Sequence, residues 1–163
     1  KGASGAAFIQ GTVNNNLIRR FTYTKTTLAL TTTNTHIFSV KSLLSFNEKI
    51  NLGTARLVLM SLTSEDQGAV IELHLNAEIT TPNWSKVKSG SSVMMFDTTG
   101  TVGINGSIIL STGVGQGDSK DYDLTPFNIQ MHGIPDQDTI SIIARSVKTT
   151  TDFVVTLVWE ELV

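Results

Sequence analysis

Along most of the chain, apolar side chains recur at every second position. In the clearest segment Ala69, Ile71, Leu73, Leu75, Ala77 and Ile79 share one parity, and Val70, Glu72, His74, Asn76 and Glu78 share the other. An extended backbone turns successive side chains to opposite sides, so this spacing predicts a strand with one face on a core. A helix would scatter the same residues around its circumference. Near the end of the chain Phe153, Val155, Leu157 and Trp159 form an inward set, and Val154, Thr156, Val158 and Glu160 an outward one. Valines at 154 and 158 on the outward face predict that it meets a second surface, either another subunit or a covering layer of the same chain.

Other segments follow suit. Phe38, Val40, Ser42, Leu44 and Phe46 alternate with Ser39, Lys41, Leu43 and Ser45, and Ile140, Ile142 and Ala144 alternate with Ser141, Ile143 and Arg145. Residues 56–62 form a nearly continuous apolar run, expected of an interior strand. Residues 21–33 are rich in Thr, Phe and Tyr, which favour pleated backbone. Turn chemistry separates the runs. Asp66-Gln67-Gly68 reads as a hairpin connection, Asn105-Gly106 as the strongest turn, Thr81-Pro82-Asn83 and Ile134-Pro135-Asp136 as strand breakers, and residues 113–117 as a Gly-rich loop. About eight to ten short strands at this spacing predict an all-β fold, an antiparallel β-sandwich. Residues 41–50 would hold one helical turn at most. Residues 1–16 read as an N-terminal arm with Phe8, Ile9 and Val13 as anchors, and 17–163 as a single sandwich domain.

Composition narrows the function. The 163 residues include no cysteine, which excludes disulfides and thiolate metal sites. The net charge is −2 and only 16% of residues are charged, against about 25% in an average protein. Thr, Ser and Asn occupy the polar faces instead. Such a surface suits burial against other subunits, and it carries no clustered Lys and Arg of the kind that capture nucleic acid. No apolar run approaches the ~20 residues of a membrane helix.

Candidate chemistry is sparse. His36, His74 and His132 lack the short spacing of a metal site, and each reads as a surface or interface histidine. Asp118, Asp121 and Asp123 offer oxygen ligands for Ca²⁺, although Lys120 opposes a cation there and local turn-making is the plainer reading. The sequence Gly113-Val114-Gly115-Gln116-Gly117 lacks the Lys-Ser/Thr of a phosphate loop. Glu160 and Glu161 are adjacent, so a strand points them to opposite faces and they form no catalytic dyad. No nucleophile elbow appears, and the reading is non-enzymatic. Trp159 belongs with the core set. Trp84, in a Pro-Asn loop, is the better candidate for a ligand or partner. Asn83-Trp84-Ser85 and Asn105-Gly106-Ser107 match the glycosylation triplet.

The last forty residues carry a family resemblance. Pro126-Phe127-Asn128-Ile129, then Ile134-Pro135-Asp136-Gln137-Asp138, then Ile140-Ser141-Ile142-Ile143-Ala144-Arg145-Ser146, then the strand closing at Trp159-Glu160, resemble the C-terminal part of jelly-roll domains of viral and bacteriophage structural proteins. The resemblance implies an eight-stranded sandwich of two Greek keys and a self-assembling virion subunit (capsid, decoration or tail). Its partners would be copies of itself and other structural proteins, its location the virion or the extracellular space. Interface candidates are Phe8, Ile9, Trp84, Val154 and Val158. Two other readings stay open. One is a carbohydrate- or receptor-binding module using Trp84 and the loop at 118–123. The other is a pilus-like subunit whose arm completes a neighbour's sheet.

Overall fold

The structure, a computed structural model, describes residues 18–103, 105–134 and 137–162. The strands in chain order are β1 (Ile18–Leu30), β2 (Thr35–Ser42), β3 (Ser45–Phe46), β4 (Lys49–Ile50), β5 (Thr54–Ser64), β6 (Ala69–Leu75), β7 (Ile79–Thr80), β8 (Ser85–Lys86), β9 (Met94–Asp97), β10 (Thr101–Val102), β11 (Ser107–Val114), β12 (Asp118–Asp123), β13 (Gln130–His132), β14 (Thr139–Ser146) and β15 (Thr151–Leu162). A single 3-10 turn, Thr125–Phe127, is the only helical element among the described residues, and none is long and apolar enough to cross a membrane.

Two antiparallel sheets face each other. The first has the order β1-β15-β5-β12, with β13 also paired to β5, and the second has the order β11-β6-β14-β2-β9-β8. Taking β12 and β13 together, the eight principal strands are β1, β2, β5, β6, β11, β12/β13, β14 and β15. The first, third, sixth and eighth build one sheet, and the second, fourth, fifth and seventh build the other. That is jelly-roll connectivity, two Greek keys folded together. The inward set of β15 (Phe153, Val155, Leu157, Trp159) meets Phe38, Val40, Ile71, Leu73, Ile140 and Ile142 from the opposite sheet in one buried core. Tyr23 bridges the layers, edge-on to Phe38 at 4.9 Å between ring centres and stacked on Phe96 at 4.4 Å.

Several local expectations are corrected. The turn Asp66-Gln67-Gly68 joins no hairpin, because β5 and β6 belong to different sheets. Thr151 Oγ1 accepts hydrogen bonds from the backbone N–H groups of Asp66 (3.0 Å) and Gln67 (3.1 Å), pinning this corner to β15. Residues 41–50 hold no helical turn. They end β2 and form the hairpin β3–β4, whose tip residues Asn47 and Glu48 both have positive φ (49° and 63°). Asn105-Gly106 makes no hairpin turn either: a side chain at Gly106 would come within 2.7 Å of Ala77 Cβ, so glycine serves close packing there. Gly113 and Val114 complete β11, and Asp118–Asp123 forms a strand rather than a loop.

The apolar run at 56–62 hides a bulge. Val158 pairs with Leu59 and Trp159 with Leu57, leaving Val58 as the extra residue. Ala55 and Leu57 point inward before it, and Met60 and Leu62 after it, so the parity of burial switches within one strand. The anticipated arm at 1–16, with Phe8 and Ile9, lies outside the described residues.

Candidate functional site

The outer face of the first sheet is a regular grid, fixed by strand register. One row across β1, β15, β5 and β13 is Arg20, Glu160, Arg56 and Gln130. The next rows, ending on β12, are Thr22, Val158, Leu59 and Asp123; then Thr24, Thr156, Ser61 and Asp121; then Thr26, Val154, Thr63 and Ser119. Hydroxyl and methyl groups fill its middle. Side-chain hydrogen bonds lock neighbours together, Thr24 with Thr156 (2.8 Å) and Thr63 with Ser119 (2.9 Å), so these parts of the face are preordered.

Charge stands only at two margins of the grid. At one end, Glu160 accepts from Arg20 (2.7 Å) and Arg56 (2.9 Å), and these hydrogen bonds hold its carboxyl below the ordinary range. One carboxylate between two guanidiniums leaves an excess positive charge. Along the β12 edge, Asp121 and Asp123 are exposed on the same side. Asp123 Oδ1 accepts from Thr125 Oγ1 (2.6 Å) and N (2.9 Å), which lowers its pKa. Asp118 has the opposite parity and accepts from the adjacent Ser119 N–H (2.9 Å), so the three aspartates do not converge. Among the described residues no group of three or more His, Cys, Asp or Glu could hold a metal ion.

A second apolar surface lies at the end of the sandwich where the described chain begins. A groove of about 780 Å³ is lined by residues including Arg19, Phe46, Lys49, Ile50, Leu52 and Leu162. Ile18 pairs with Leu162 beside it, and Leu52 is 81% exposed. Glu161 anchors this end. Its fully buried carboxylate accepts from Ser92 Oγ (2.6 Å), Val93 N–H (2.9 Å) and Trp159 Nε1–H (2.8 Å). Glu160 and Glu161 thus diverge to opposite faces, one in a surface ion triad and one in the interior.

The outer face of the second sheet is covered by part of the excursion between β6 and β11. Beneath it, His74, Ser141, Ser39 and Asp97 form one lateral row across β6, β14, β2 and β9, and all four are buried. His74 was expected at the surface or an interface. It is only 4% exposed, with Nε2 2.8 Å from Glu72 Oε2. His36 Nδ1 donates to the Gly100 carbonyl at 2.6 Å, and burial keeps its pKa below the ordinary 6.5 despite that bond and the nearby Asp97. Asp97 organises the strap that follows it, accepting from Asn83 N–H, Thr99 N–H, Thr99 Oγ1 and Gly100 N–H. Burial opposes its ionisation, yet these donors outweigh burial and lower its pKa. Sequence reasoning had no signal for this row, since only the register brings its members together.

Trp84 lies at the other end of the second sheet, half-buried, with Lys41 Nζ 4.2 Å from its ring centre. The strand order puts it at the β9–β8 margin, whereas Asp118–Asp123 lies on an outer strand of the first sheet. The structure therefore does not bring Trp84 and the aspartates into one site. Val154 and Val158 both point to the outer face of the first sheet, but only Val154 is half-exposed there; Val158, at 9% exposure, is buried among its neighbours.

No protein-family model matches the chain, and no curated protein matches it. Among solved structures, a chain of Desmodium yellow mottle tymovirus aligns with 11% identity and a TM-score of 0.37, covering 91% of this chain and 88% of that one.

Proposed function

We propose that this protein is a self-assembling structural subunit of the virion type, a building block that acts by packing against copies of itself. The observation that carries the reading is the outer grid of the first sheet. Its middle holds no charge, Thr24 is paired with Thr156 and Thr63 with Ser119, and half-buried Leu59 and Val154 supply apolar surface. Desolvating such a face is inexpensive, because little there must give up strong hydration. Interfaces between subunits share this anatomy of an apolar centre depleted in charge and a polar rim. The jelly-roll connectivity and the resemblance of the last forty residues to viral structural domains support the same reading. The groove at Ile50, Leu52 and Leu162 adds a second apolar surface beside the point where residues 1–17 join the sandwich.

Sedimentation velocity of the full chain, run from micromolar to millimolar concentration, tests the proposal. A concentration-dependent shift to larger species is expected, with closed or regular particles in electron micrographs. A protein that stays monomeric to millimolar concentration overturns it.

A further inference from the structure

We infer that the outer face of the first sheet pairs with the same face of a second copy, strands crossing near right angles, with the Arg20–Glu160–Arg56 row of one copy over Asp121 and Asp123 of the other. This deepens the proposed function by naming the contact and its geometry.

The argument rests on where charge sits on the grid. Adjacent strands lie about 4.8 Å apart, and successive residues of one face stand about 6.8 Å apart along a strand. Arg20 is three strands and two rows from Asp121. Those steps amount to about 14 Å across and about 14 Å along. Arg56 is one strand and one row from Asp123. A two-fold axis lying in the plane of the face, on the diagonal from Thr24 to Gln130, exchanges these positions. It carries Arg20 onto Asp121 and sets Arg56 and Glu160 on either side of Asp123, each within about one strand spacing, so the match is of the row's net positive charge to the acidic edge. Half-buried Leu59 lies beside the axis and is the apolar contact at the centre, with Val158, 9% exposed, beneath it.

The alternatives fare worse. A two-fold axis parallel to the strands keeps the Arg row at its own level, so arginine faces the partner's arginine row. One perpendicular to the strands keeps the β12 column over itself, setting Asp121 and Asp123 against the same column of the partner. Only the diagonal matches the excess positive charge of the Arg20–Glu160–Arg56 row to the acidic edge. Near-orthogonal packing is one of the two ways sheets stack face to face. A self-complementary patch is what closed two-fold assembly requires. The three rows that overlap across this axis span roughly 400 Å² per copy on these spacings, or about 800 Å² in total. That is below the ~1,000 Å² of a specific interface, so the contact is weak alone and depends on charge for its register.

The test is charge exchange in the full chain, read by sedimentation equilibrium, with circular dichroism melting to show that each variant folds. Arg20→Asp and Asp121→Arg should each raise the dimer dissociation constant tenfold or more. The double variant should return it to within about threefold of the parent. Because the chain has no cysteine, Thr24→Cys reports the axis directly. A short bismaleimide should link two copies of Thr24→Cys but not of Ser119→Cys, which the axis holds far apart. If the parent associates but neither reversal matters, or the double variant is no better than the singles, this contact is wrong while self-assembly stands. If the parent never associates, the proposed function falls with it.

Discussion

His36 Nε2 stands 2.8 Å from Ser39 Oγ, and the proton between them belongs to the serine. The direction follows from the far side of the ring. The Gly100 carbonyl can only accept, so Nδ1 carries the imidazole proton and Nε2 is the acceptor. Ser39 then has no proton left for Ser141, 2.7 Å away, and Ser141 must donate to it. The row therefore has one polarity, and it holds only while His36 is neutral.

Acidification should release the strap at residues 98–103 before the sandwich unfolds. Burial lowers the His36 pKa below 6.5, so the open state, in which the ring regains its ordinary pKa, takes up a proton first. The contribution of neutral His36 is complete above 6.5 and fades as pH falls from there toward the depressed value. Asp97, Glu72, His74, Lys41 and Arg145 occupy the same outer face, and Asp97 stays ionised through this window because its own pKa is lowered from 3.8. Protection factors at Gly100 and Thr101, taken relative to the intrinsic exchange rate at each pH, should fall below 6.5 while amides of β14 and β15 stay protected. An imidazole that titrates at or above 6.5 by NMR would contradict this.

Replacing Glu161 should destabilise the fold severely. Glu161→Ala strands three buried donors, on Ser92, Val93 and Trp159, in a site without water access. A loss of about 3 kcal/mol or more is expected, measured as a lower urea midpoint. Glu160→Ala, which breaks only a surface triad, should lose about 1 kcal/mol or less.

Gly100→Ala should loosen the strap without touching the core. A Cβ there would overlap Ile79 Cγ2 and stand 2.8 Å from Asp97 Oδ2 and 3.2 Å from Thr80 O. Overpacking of this kind costs about 1–3 kcal/mol. Limited proteolysis should then cut within residues 98–103 faster than in the parent, at an unchanged far-UV spectrum.

Deleting Val58 should leave the sandwich folded but less stable, and Val58→Ala should be tolerated at about 1 kcal/mol. The deletion closes the bulge and restores strict alternation, so Leu57 and Met60 both stay inward, while the Val58 carbonyl that accepts from Leu124 N–H is lost. Near-UV circular dichroism should show native packing in both variants, and urea midpoints would rank them; a deletion variant that fails to fold would contradict this.

That bulge also marks where alternation stopped being readable. β14 and β15 follow a strict two-residue period, and their inward sets could be written down directly. In β5 the period breaks at Val58–Leu59, and a run apolar on both parities conceals the switch. The corner at 66–68 was misread for another reason: turn chemistry shows that the chain reverses, not which sheet receives it. For the outer grid, alternation placed Val154 and Val158 outward. Their neighbours Thr22, Leu59 and Asp121 depend on pairings between residues scores of positions apart. The buried row of His74, Ser141, Ser39 and Asp97 is the extreme case, because a polar residue at an outward position looks wet until the covering segment is known.

The last strand is threaded between two much earlier ones. β15 lies between β1 and β5, and its first residue, Thr151, ties down the corner at 66–68. Half of the grid's central contacts therefore do not exist until residues 151–162 have slotted in. Until then β1 and β5 share no seam. Closing such distant pairings is slow, so the face of the proposed contact exists only once β15 is in place.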